Sequence, residues 1–291
     1  MDRTTNEIFG GSIFLPYICN VLIKKHMQFN NLKERMEYYK SIYDYRLTPN
    51  SYVLAHIDGR SFSKLVKKRF ERPFDDEFIR MMNETAEYLC KEIQGCKTAY
   101  VQSDEISLVI TDFDTPESDS FFGFRLCKMQ SIIASLATAK FNQLSILRVC
   151  NVPCSNNDLK QIIASEPIVQ FDCKVWTVPT YNDVFAWLLY RQNDCLRNSK
   201  QQTAQTYLPH KRLVGLKADE QIELLNNEKD VDWNALDNGK KYGRIVYKET
   251  ETFNTTIKGE PVSYERSIWK AHYAELFTNE YFDQLNIIPK R

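Results

Sequence analysis

Apolar and polar residues alternate along this chain with two different periods. Apolar side chains at three- and four-residue steps predict amphipathic helices over residues 31–45, 62–66, 76–93, 121–144, 181–191 and 218–228. Short runs rich in β-branched and aromatic residues predict strands over residues 51–57, 98–102, 106–111 and 168–178, and a hairpin over 245–262. The stretch 149–167, which contains several Pro and Asn residues, predicts a loop.

The order of these elements predicts the class of fold. Strand, helix, hairpin, helix and strand in succession are typical of an α+β protein with an antiparallel split βαββαβ, or ferredoxin-like, sheet. We expect the helices to cover one face of that sheet and the unit to occupy the first two thirds of the chain. The last third, with an acidic helix and a hairpin, is expected to form a helical and hairpin elaboration at the C-terminus.

Composition and charge narrow the class of protein without identifying it. The 291 residues are 43% apolar and 26% charged, as is ordinary for a globular protein with a sizeable core. A formal net charge of zero argues against a simple polycation. The charges are segregated, however: residues 60–72 and 191–217 each hold six basic residues and one acid (+5), and residues 219–237 hold seven acids and one lysine (−6). Such segregation can present a basic surface to a polyanion, and solvated helix faces are the alternative.

Cysteine usage and the apolar N-terminal stretch bear on location. The eight cysteines form no CxxC pair and the chain has four histidines, so a structural zinc site is not expected. Reduced thiols suit a cytoplasmic or other reducing compartment, and we expect a cytoplasmic location with a mitochondrial one as the alternative. The apolar run 12–23 is too short to span a bilayer, so no membrane association is expected.

Two acidic positions are the candidates for catalysis. Asp58 ends the first predicted strand, and Asp104 lies with Glu105 between the strands of the first predicted hairpin. Asp58 and Asp104 can converge if their strands are neighbours in one sheet, and paired carboxylates are stable mainly when divalent cations lie between them. Such a pair suits metal-assisted chemistry on phosphates. Taken singly, Asp-Gly is a common turn dipeptide and Ser-Asp-Glu is an ordinary hairpin tip.

Six motifs in succession extend this interpretation. They are residues 56–62 (HIDGRSF), 72–75 (RPFD), 102–105 (QSDE), 171–175 (FDCKV), 191–199 (RQNDCLRNS) and 209–215 (PHKRLVG). Together, over about residues 29–248, they closely resemble the tRNA-histidine guanylyltransferase family. The resemblance implies a palm-like catalytic domain over residues 29–200, an N-terminal extension over 1–28 and a C-terminal subdomain packed on the palm over 201–291.

The resemblance also implies which residues hold metal and nucleotide. Asp58 and Asp104 would bridge two Mg²⁺ ions with the carbonyl of Gly59 as a further ligand, and Glu105 would be a third catalytic acid in a metal-binding or supporting role. The residues expected to line the nucleotide are Asp58, Gly59, Arg60, Ser61, Phe62, Ser63, Arg72, Ser103 and Asp104.

The implied reaction adds nucleotides in the 3′-to-5′ direction and has two steps. The 5′-monophosphate of a tRNA attacks the α-phosphate of ATP or GTP, releasing pyrophosphate. The 3′-hydroxyl of an incoming nucleoside triphosphate then attacks the activated 5′-phosphate and displaces the nucleoside monophosphate. Both steps are in-line displacements of the kind that paired metal ions assist, so no nucleophilic Cys or Ser–His couple is needed. A homotetramer is the implied assembly.

One motif separates two branches of the family. Members specific for tRNA-histidine carry a His-Ile-Asn-type motif where this chain has Leu196-Arg197-Asn198-Ser199, as in a guanylyltransferase-like branch whose activity resembles template-dependent repair of 5′-truncated tRNA. We therefore expect templated 5′-end repair, with addition of an untemplated G to tRNA-histidine as the alternative. The candidate RNA contacts are Arg191, Arg197, Asn198, Ser199, Lys200, His210, Lys211 and Arg212.

Other interpretations stay open at this point. A nucleotide cyclase shares the palm and the paired acids, and a catalytically silent RNA-binding protein would keep the palm as a platform. We expect His56 to pack rather than act as a general base, and Asp172 to anchor a loop rather than bind metal. For the short helix that carries Lys64, Lys67 and Lys68, solvated lysines are the alternative to phosphate contact.

Overall fold

The computed structural model describes residues 29–150, 153, 155–257 and 260–290, so the apolar run 12–23 lies outside the described residues. The chain divides into two compact units, one ending at Tyr45 and one beginning at Arg46. In the first unit, helix α1 (Leu32–Ser41) begins where the side chain of Asn31 accepts a hydrogen bond of 2.9 Å from the backbone N–H of Glu34. Such N-capping satisfies a donor that the helix itself leaves unpaired.

The second unit contains the sheet. Its elements follow the chain as β1 (Tyr52–Gly59), α2 (Phe62–Arg69), α3 (Asp76–Glu92), β2 (Cys96–Gln102), β3 (Glu105–Ile110), α4 (Leu126–Cys150), α5 (Asn156–Ser165), β4 (Phe171–Val178) and α6 (Tyr181–Tyr207). Beyond them lie α7 (His210–Leu213), α8 (Ala218–Lys229), α9 (Asn238–Tyr242), β5 (Arg244–Ile257), β6 (Glu260–Tyr273) and α10 (Asn279–Leu285), with short 3₁₀ helices at Phe121–Phe124 and Trp233–Ala235.

The six strands form one antiparallel sheet in the order β4-β1-β3-β2-β5-β6. The first four strands have the order of the split βαββαβ unit, so the predicted fold class is confirmed. Strand β5 joins β2 where Ala99–Val101 pairs with Arg244–Val246. The sheet therefore continues into the last third of the chain, beyond residue 200.

Both faces of the sheet are covered by helices, and the expectation of helices on one face is wrong. Val53, Ala55 and Ile57 of β1 point into a core with α3 and α4, whereas Tyr52 and Leu54 point into a second core with α6 and α10. Because both sets of alternating β1 residues are apolar, each face needs its own cover. Asp58 continues the set that faces α6.

Helix α5 lies inside the stretch predicted to be a loop. Residues 149–167 contain Asn156–Ser165 as a helix, and the side chain of Ser155 caps it by accepting a 3.2 Å hydrogen bond from the backbone N–H of Asp158. The helix buries no side chain. Its apolar residues Leu159, Ile162 and Ile163 do have helical spacing, but the Pro and Asn residues around them favour a loop.

Two other elements are longer than predicted. Helix α6 continues sixteen residues past Arg191 to Tyr207, and its polar residue Gln192 is buried with its side-chain N–H groups donating to the carbonyls of Tyr242 and Glu275. The predicted hairpin 245–262 is the first part of a longer one, because β6 extends to Tyr273. Polar groups can be buried when they are hydrogen-bonded, and the apolar periodicity of a sequence does not reveal such buried polar positions.

A third apolar cluster packs the C-terminal half of α6 against α7, α8 and the turn at Trp233. Its buried residues are Ala204, Leu208, Leu213, Ile222, Leu225 and Trp233. No helix in the described part of the chain has the length and apolarity that a bilayer-spanning segment requires. The domain limits expected from the sequence stay a prediction.

Candidate active site

Strand β1 brings Asp58 to the turn between β2 and β3. Asp58 lies between two neighbours in the sheet, opposite Glu105 of β3 and Asp172 of β4. The backbone N–H of Gly59 donates a 3.2 Å hydrogen bond to the carbonyl of Asp104. The structure therefore brings Asp58, Asp104 and Glu105 together at one edge of the sheet.

Gly59 is required by close packing at the end of β1. A Cβ atom at this position would lie 2.4 Å from the ring of Phe62, so a side chain cannot be added without moving that ring. Phe62 is 2% exposed and packs on Phe171 with ring centroids 4.9 Å apart. Phe62, predicted to line the nucleotide, thus anchors the start of α2 in the core.

The remaining predicted nucleotide residues of this turn face outward. Arg60, Ser61 and Ser63 are exposed, and Ser61 has a left-handed backbone with φ of 61°. Arg72 is also exposed, in the loop between α2 and α3. That loop is closed by Asp75, whose carboxylate accepts 2.8 Å hydrogen bonds from the backbone N–H groups of Glu71 and Phe78.

The turn that carries Asp104 holds its carboxylate in a poorly solvated position. Ser103 has a left-handed φ of 45°, and its hydroxyl donates a 2.9 Å hydrogen bond to Asp104 Oδ1. Burial raises the pKa of Asp104 to about 6, and the negative charges of Asp58 and Glu105 contribute to this increase. Burial also raises the pKa of Asp58, followed by the charges of Glu105 and Asp172. The site thus concentrates negative charge where solvent stabilises it poorly.

Glu105 is the one acid of this group that is paired with a cation. Its carboxylate accepts hydrogen bonds from a guanidinium N–H of Arg191 and, at 2.8 Å, from the side-chain amide of Gln102. Arg191 is only 8% exposed and also donates a 2.6 Å hydrogen bond to Asp194. Glu105 is therefore placed for a supporting role, and the predicted RNA contact of Arg191 gains no support from this placement.

His56 packs beneath the carboxylates. Its ring lies edge-on to Trp187 with centroids 5.5 Å apart, and the indole N–H of Trp187 donates to the hydroxyl of Ser107 at 3.3 Å. Burial lowers the pKa of His56, and the positive charge of Arg191 lowers it further. The imidazole is thus a packing group on the α6 face, where it was expected to pack.

The position of Asp172 differs from the one expected from the sequence. It was expected to anchor a loop, but it lies in strand β4, opposite Asp58, with its side chain exposed. The predicted strand 168–178 held the missed signal, because an antiparallel neighbour of β1 brings its acid alongside Asp58. Asp172 is close enough for its charge to raise the pKa of Asp58.

A pocket opens beside Ser103, between the loop of residues 71–75 and helix α6. The residues that give it polar character are Glu71, Asp75, Gln102, Ser103, Asn198, Ser199, Gln202, Lys240 and Arg244. Phe74, Phe78 and Ile79 supply apolar surface in the same pocket. A mixture of apolar walls and a few polar groups suits a small organic ligand.

The predicted RNA contacts fall into two groups. Several are occupied within the protein: Arg197 pairs with Asp194, Lys200 with Asp219 and Arg212 with Glu228, and buried Ser199 accepts a 2.9 Å hydrogen bond from the indole N–H of Trp233. The others are open: Asn198 lines the pocket beside Ser103, and His210 and Lys211 are exposed. Apart from Arg191, which pairs with Glu105, the predicted RNA contacts are spread along α6 and α7.

The donor set can be tested for its fit to a metal ion. In the described part of the chain, no three His, Cys, Asp or Glu side chains are grouped so as to hold a metal by themselves. Mg²⁺ is commonly held by one or two carboxylates together with phosphate oxygens and water. The clustered acids Asp58 and Asp104, whose pKa values are raised, fit a cation that arrives with a phosphate ligand, and they do not form a preassembled cage.

A split βαββαβ sheet with clustered acids at one edge and a pocket of mixed polarity beside them is the arrangement of a palm-type nucleotidyltransferase. A family profile described as tRNAHis guanylyltransferase matches residues 33–179. A solved bacterial tRNA(His) guanylyltransferase-like protein in complex with ATP is 33% identical, with a TM-score of 0.67, over 75% of this chain and 89% of that one. The chain belongs to the tRNA(His) guanylyltransferase family.

A second solved structure agrees with this assignment, and a further relative is uncharacterised. A bacterial tRNA(His) guanylyltransferase-like protein solved in complex with GTP is 27% identical, with a TM-score of 0.65, over 88% of this chain and 95% of that one. An uncharacterised protein of Acanthamoeba polyphaga mimivirus is 28% identical over 230 residues, which are 74% of this chain and 76% of that protein. The family, and with it nucleotidyl transfer, is thus confirmed.

Proposed function

We propose that this protein repairs the 5′ ends of truncated tRNA by template-dependent, 3′-to-5′ nucleotide addition. The substrates are a 5′-monophosphorylated tRNA, ATP or GTP for activation, and the nucleoside triphosphate that is added. Mg²⁺, held as two ions, is the proposed cofactor and supplies charge neutralisation for the attacking and leaving oxygens. A tetrameric assembly and a cytoplasmic location stay predictions from the sequence.

The observation that supports this proposal is the convergence of Asp58 and Asp104. These residues, far apart in the chain, are brought side by side at the end of β1 by the backbone hydrogen bond from Gly59 to the carbonyl of Asp104. Burial raises the pKa of both groups; the charge of Asp58 adds to the increase at Asp104, and the charges of Glu105 and Asp172 add to the increase at Asp58. A bound cation would therefore stabilise the anionic forms of Asp58 and Asp104. Their role is to orient the phosphates of the nucleotide and of the RNA in line.

Different residues around the carboxylates can bind different parts of the nucleotide substrates. The exposed turn of Arg60, Ser61 and Ser63 follows β1 directly and offers polar groups to a triphosphate. The pocket beside Ser103, with a free volume of about 60 Å³, offers apolar surface from Phe74, Phe78 and Ile79 to the edge of a nucleobase. The complexes of solved relatives with ATP and with GTP support the use of both nucleotides.

The preference for repair over untemplated G addition is supported by helix α6. The resemblance gives members specific for tRNA-histidine a His-Ile-Asn-type motif at this place. This chain has Arg197, Asn198 and Ser199 there instead. Asn198 and Ser199 line the pocket beside Ser103, so this difference lies near the carboxylates. Addition of G to tRNA-histidine is the second candidate, because the family profile and the solved relatives carry that name.

The test is extension of 5′-monophosphorylated tRNA that lacks its first nucleotide, with labelled triphosphates and Mg²⁺. The template is varied by changing the base opposite the missing position, and tRNA-histidine is included as a separate substrate. Repair predicts that the added nucleotide changes to remain complementary to the template base. Addition of G alone, irrespective of that base and only to tRNA-histidine, would instead establish the second candidate.

Matched variants tie the reaction to the carboxylates. Asp58→Asn and Asp104→Asn keep the side-chain size and remove the charge, so we expect both activation and extension to be lost. Asp119→Asn is the control, because Asp119 is exposed and lies in the loop that follows β3, beyond the end of that strand opposite to Glu105. RNA that is bound but neither activated nor extended by the wild-type protein would contradict the proposal and indicate a silent RNA-binding protein.

A further inference from the structure

A cavity of about 490 Å³ lies beside the end of β1, between helix α2 and the segment of residues 165–170. Four basic side chains line it, from Arg60, Lys64, Lys68 and Arg69, and the lining contains no acid. The carboxylate of Glu166, which is outside the lining, lies 3.8 Å from Arg69 and accepts a hydrogen bond from Arg148. The cavity therefore carries a positive charge that the protein neutralises only in part.

The four basic side chains differ in whether other residues of the protein already supply them with a hydrogen-bond or ion-pair partner. Arg60 donates a 2.8 Å hydrogen bond to the neutral side chain of Gln170, and Arg69 donates one of 2.9 Å to the carbonyl of Ser165. Lys64 and Lys68 are exposed, and the described residues give neither of them an ion pair or side-chain hydrogen bond. Two ammonium groups are thus available to an anion from outside.

The wall of the cavity that faces α2 has an apolar centre. It is formed by Pro167, Ile168 and Val169, with the polar residues Ser165 and Gln170 at its ends. Ile168 is 84% exposed, which is a large apolar surface to leave beside a row of cations. A nucleotide unit within a strand matches both walls, because it presents a charged phosphate on one side and a flat base or sugar on the other. A bare phosphate would use only the charged wall.

The cavity is continuous with the carboxylate edge of the sheet. Arg60 follows Gly59 directly, and its backbone N–H donates a 2.9 Å hydrogen bond to the carbonyl of Gln170. Helix α2 has eight residues and is therefore about 12 Å long. A chain of phosphates along α2 would therefore approach Asp58 at its N-terminal end.

We propose that this cavity binds the sugar-phosphate backbone of an unpaired strand of the RNA substrate, next to the reacting 5′ end. Lys64 and Lys68 contact phosphates, and Ile168 packs against a base or ribose. This inference rests on the proposed function for the identity of the strand as substrate RNA. It assigns RNA binding to α2, away from the residues of α6 and α7 that the sequence motifs indicate.

The test compares Lys64→Gln/Lys68→Gln with a control of equal charge change, Lys91→Gln/Lys229→Gln, in the full chain. Both control lysines are exposed and lie outside the cavity. Affinity for a labelled, 5′-monophosphorylated single-stranded RNA is measured by fluorescence anisotropy over a series of salt concentrations. Loss of two phosphate contacts reduces the slope of log K against log salt by about 1.4, since each contact on a single strand contributes about 0.7.

The expected result is weaker RNA binding with the smaller salt slope for the cavity variant and an unchanged slope for the control. Ile168→Ser is expected to weaken RNA binding at an unchanged salt slope, because it removes apolar contact without removing charge. Unaltered RNA binding in the cavity variant would overturn the inference. So would a loss of affinity for ATP or GTP with RNA binding intact, because the phosphate recognised would then belong to the nucleotide.

The same proteins separate this inference from the proposed function. Binding is measured without turnover, and templated extension is measured in parallel on truncated tRNA. A wild-type protein that extends no RNA but shows the Lys64/Lys68-dependent salt slope would refute the proposed function and support the cavity as an RNA site. Templated extension by the cavity variant with an unchanged KM for RNA would support the proposed function and refute the cavity as an RNA site.

Discussion

Replacing Asp104 by Asn should stabilise the metal-free protein while removing its activity. The pKa of Asp104 is about 6 in the folded protein, against 3.8 for the same group without burial. Because the folded-state pKa is the higher one, the ionised carboxylate destabilises the fold above about pH 6, and the cost disappears as the pH falls below 3.8. The difference of about 2.2 pKa units corresponds to an upper limit of about 3 kcal/mol.

The magnitude should be smaller than that limit because Asp104 is only half-buried. We expect Asp104→Asn to raise the free energy of unfolding by about 1–2 kcal/mol at pH 7.5, measured by urea denaturation with a chelator present. Asn keeps an oxygen that can accept the hydrogen bond of the Ser103 hydroxyl. Asp119→Asn serves as the control and should leave the unfolding free energy nearly unchanged.

The pH dependence identifies the cause of the stabilisation. The gain from Asp104→Asn should decline as the pH falls from 7.5 towards 4, because the wild-type carboxyl group takes up its proton over that range. Mg²⁺ with a nucleoside triphosphate should stabilise the wild type more than the variant. A variant that is no more stable than the wild type at pH 7.5, or that keeps the same gain at pH 4, would refute this reasoning.

Two further substitutions test the packing around the site. Arg191→Met leaves Glu105 without its cation and should lower the free energy of unfolding by roughly 2–3 kcal/mol in denaturant titrations; adding Glu105→Gln should recover part of that loss, and no recovery would contradict the pairing. Gly59→Ala places a Cβ atom against the ring of Phe62 and should cost about 1–3 kcal/mol with loss of templated extension; a variant with wild-type stability and turnover would show that the ring moves freely.

Much of the palm could be predicted because its strands are short and strongly apolar. The run that ends at Asp58 and the hairpin around Asp104 have clear periodicity, and their order is enough to indicate the sheet. The motifs then connected the two acids to the family, which the comparisons confirm.

The parts that were missed share a physical reason. In α5 the helical spacing of Leu159, Ile162 and Ile163 is outweighed by the surrounding Pro and Asn residues, and the helix buries no side chain. Beyond Arg191, α6 buries polar residues such as Gln192 that hydrogen bonds satisfy, and these interrupt its apolar period. The register that places Asp172 opposite Asp58, and the ion pair that draws Arg191 to Glu105, depend on tertiary contacts between distant segments.

The most direct test of the account is a crystal structure of the protein with Mg²⁺ and a non-hydrolysable ATP analogue. We expect carboxylate oxygens of both Asp58 and Asp104 to lie about 2.0–2.1 Å from a magnesium ion that also binds the phosphates of the analogue. A nucleotide bound at another part of the chain, or one bound here without either carboxylate on the metal, would contradict the central claim.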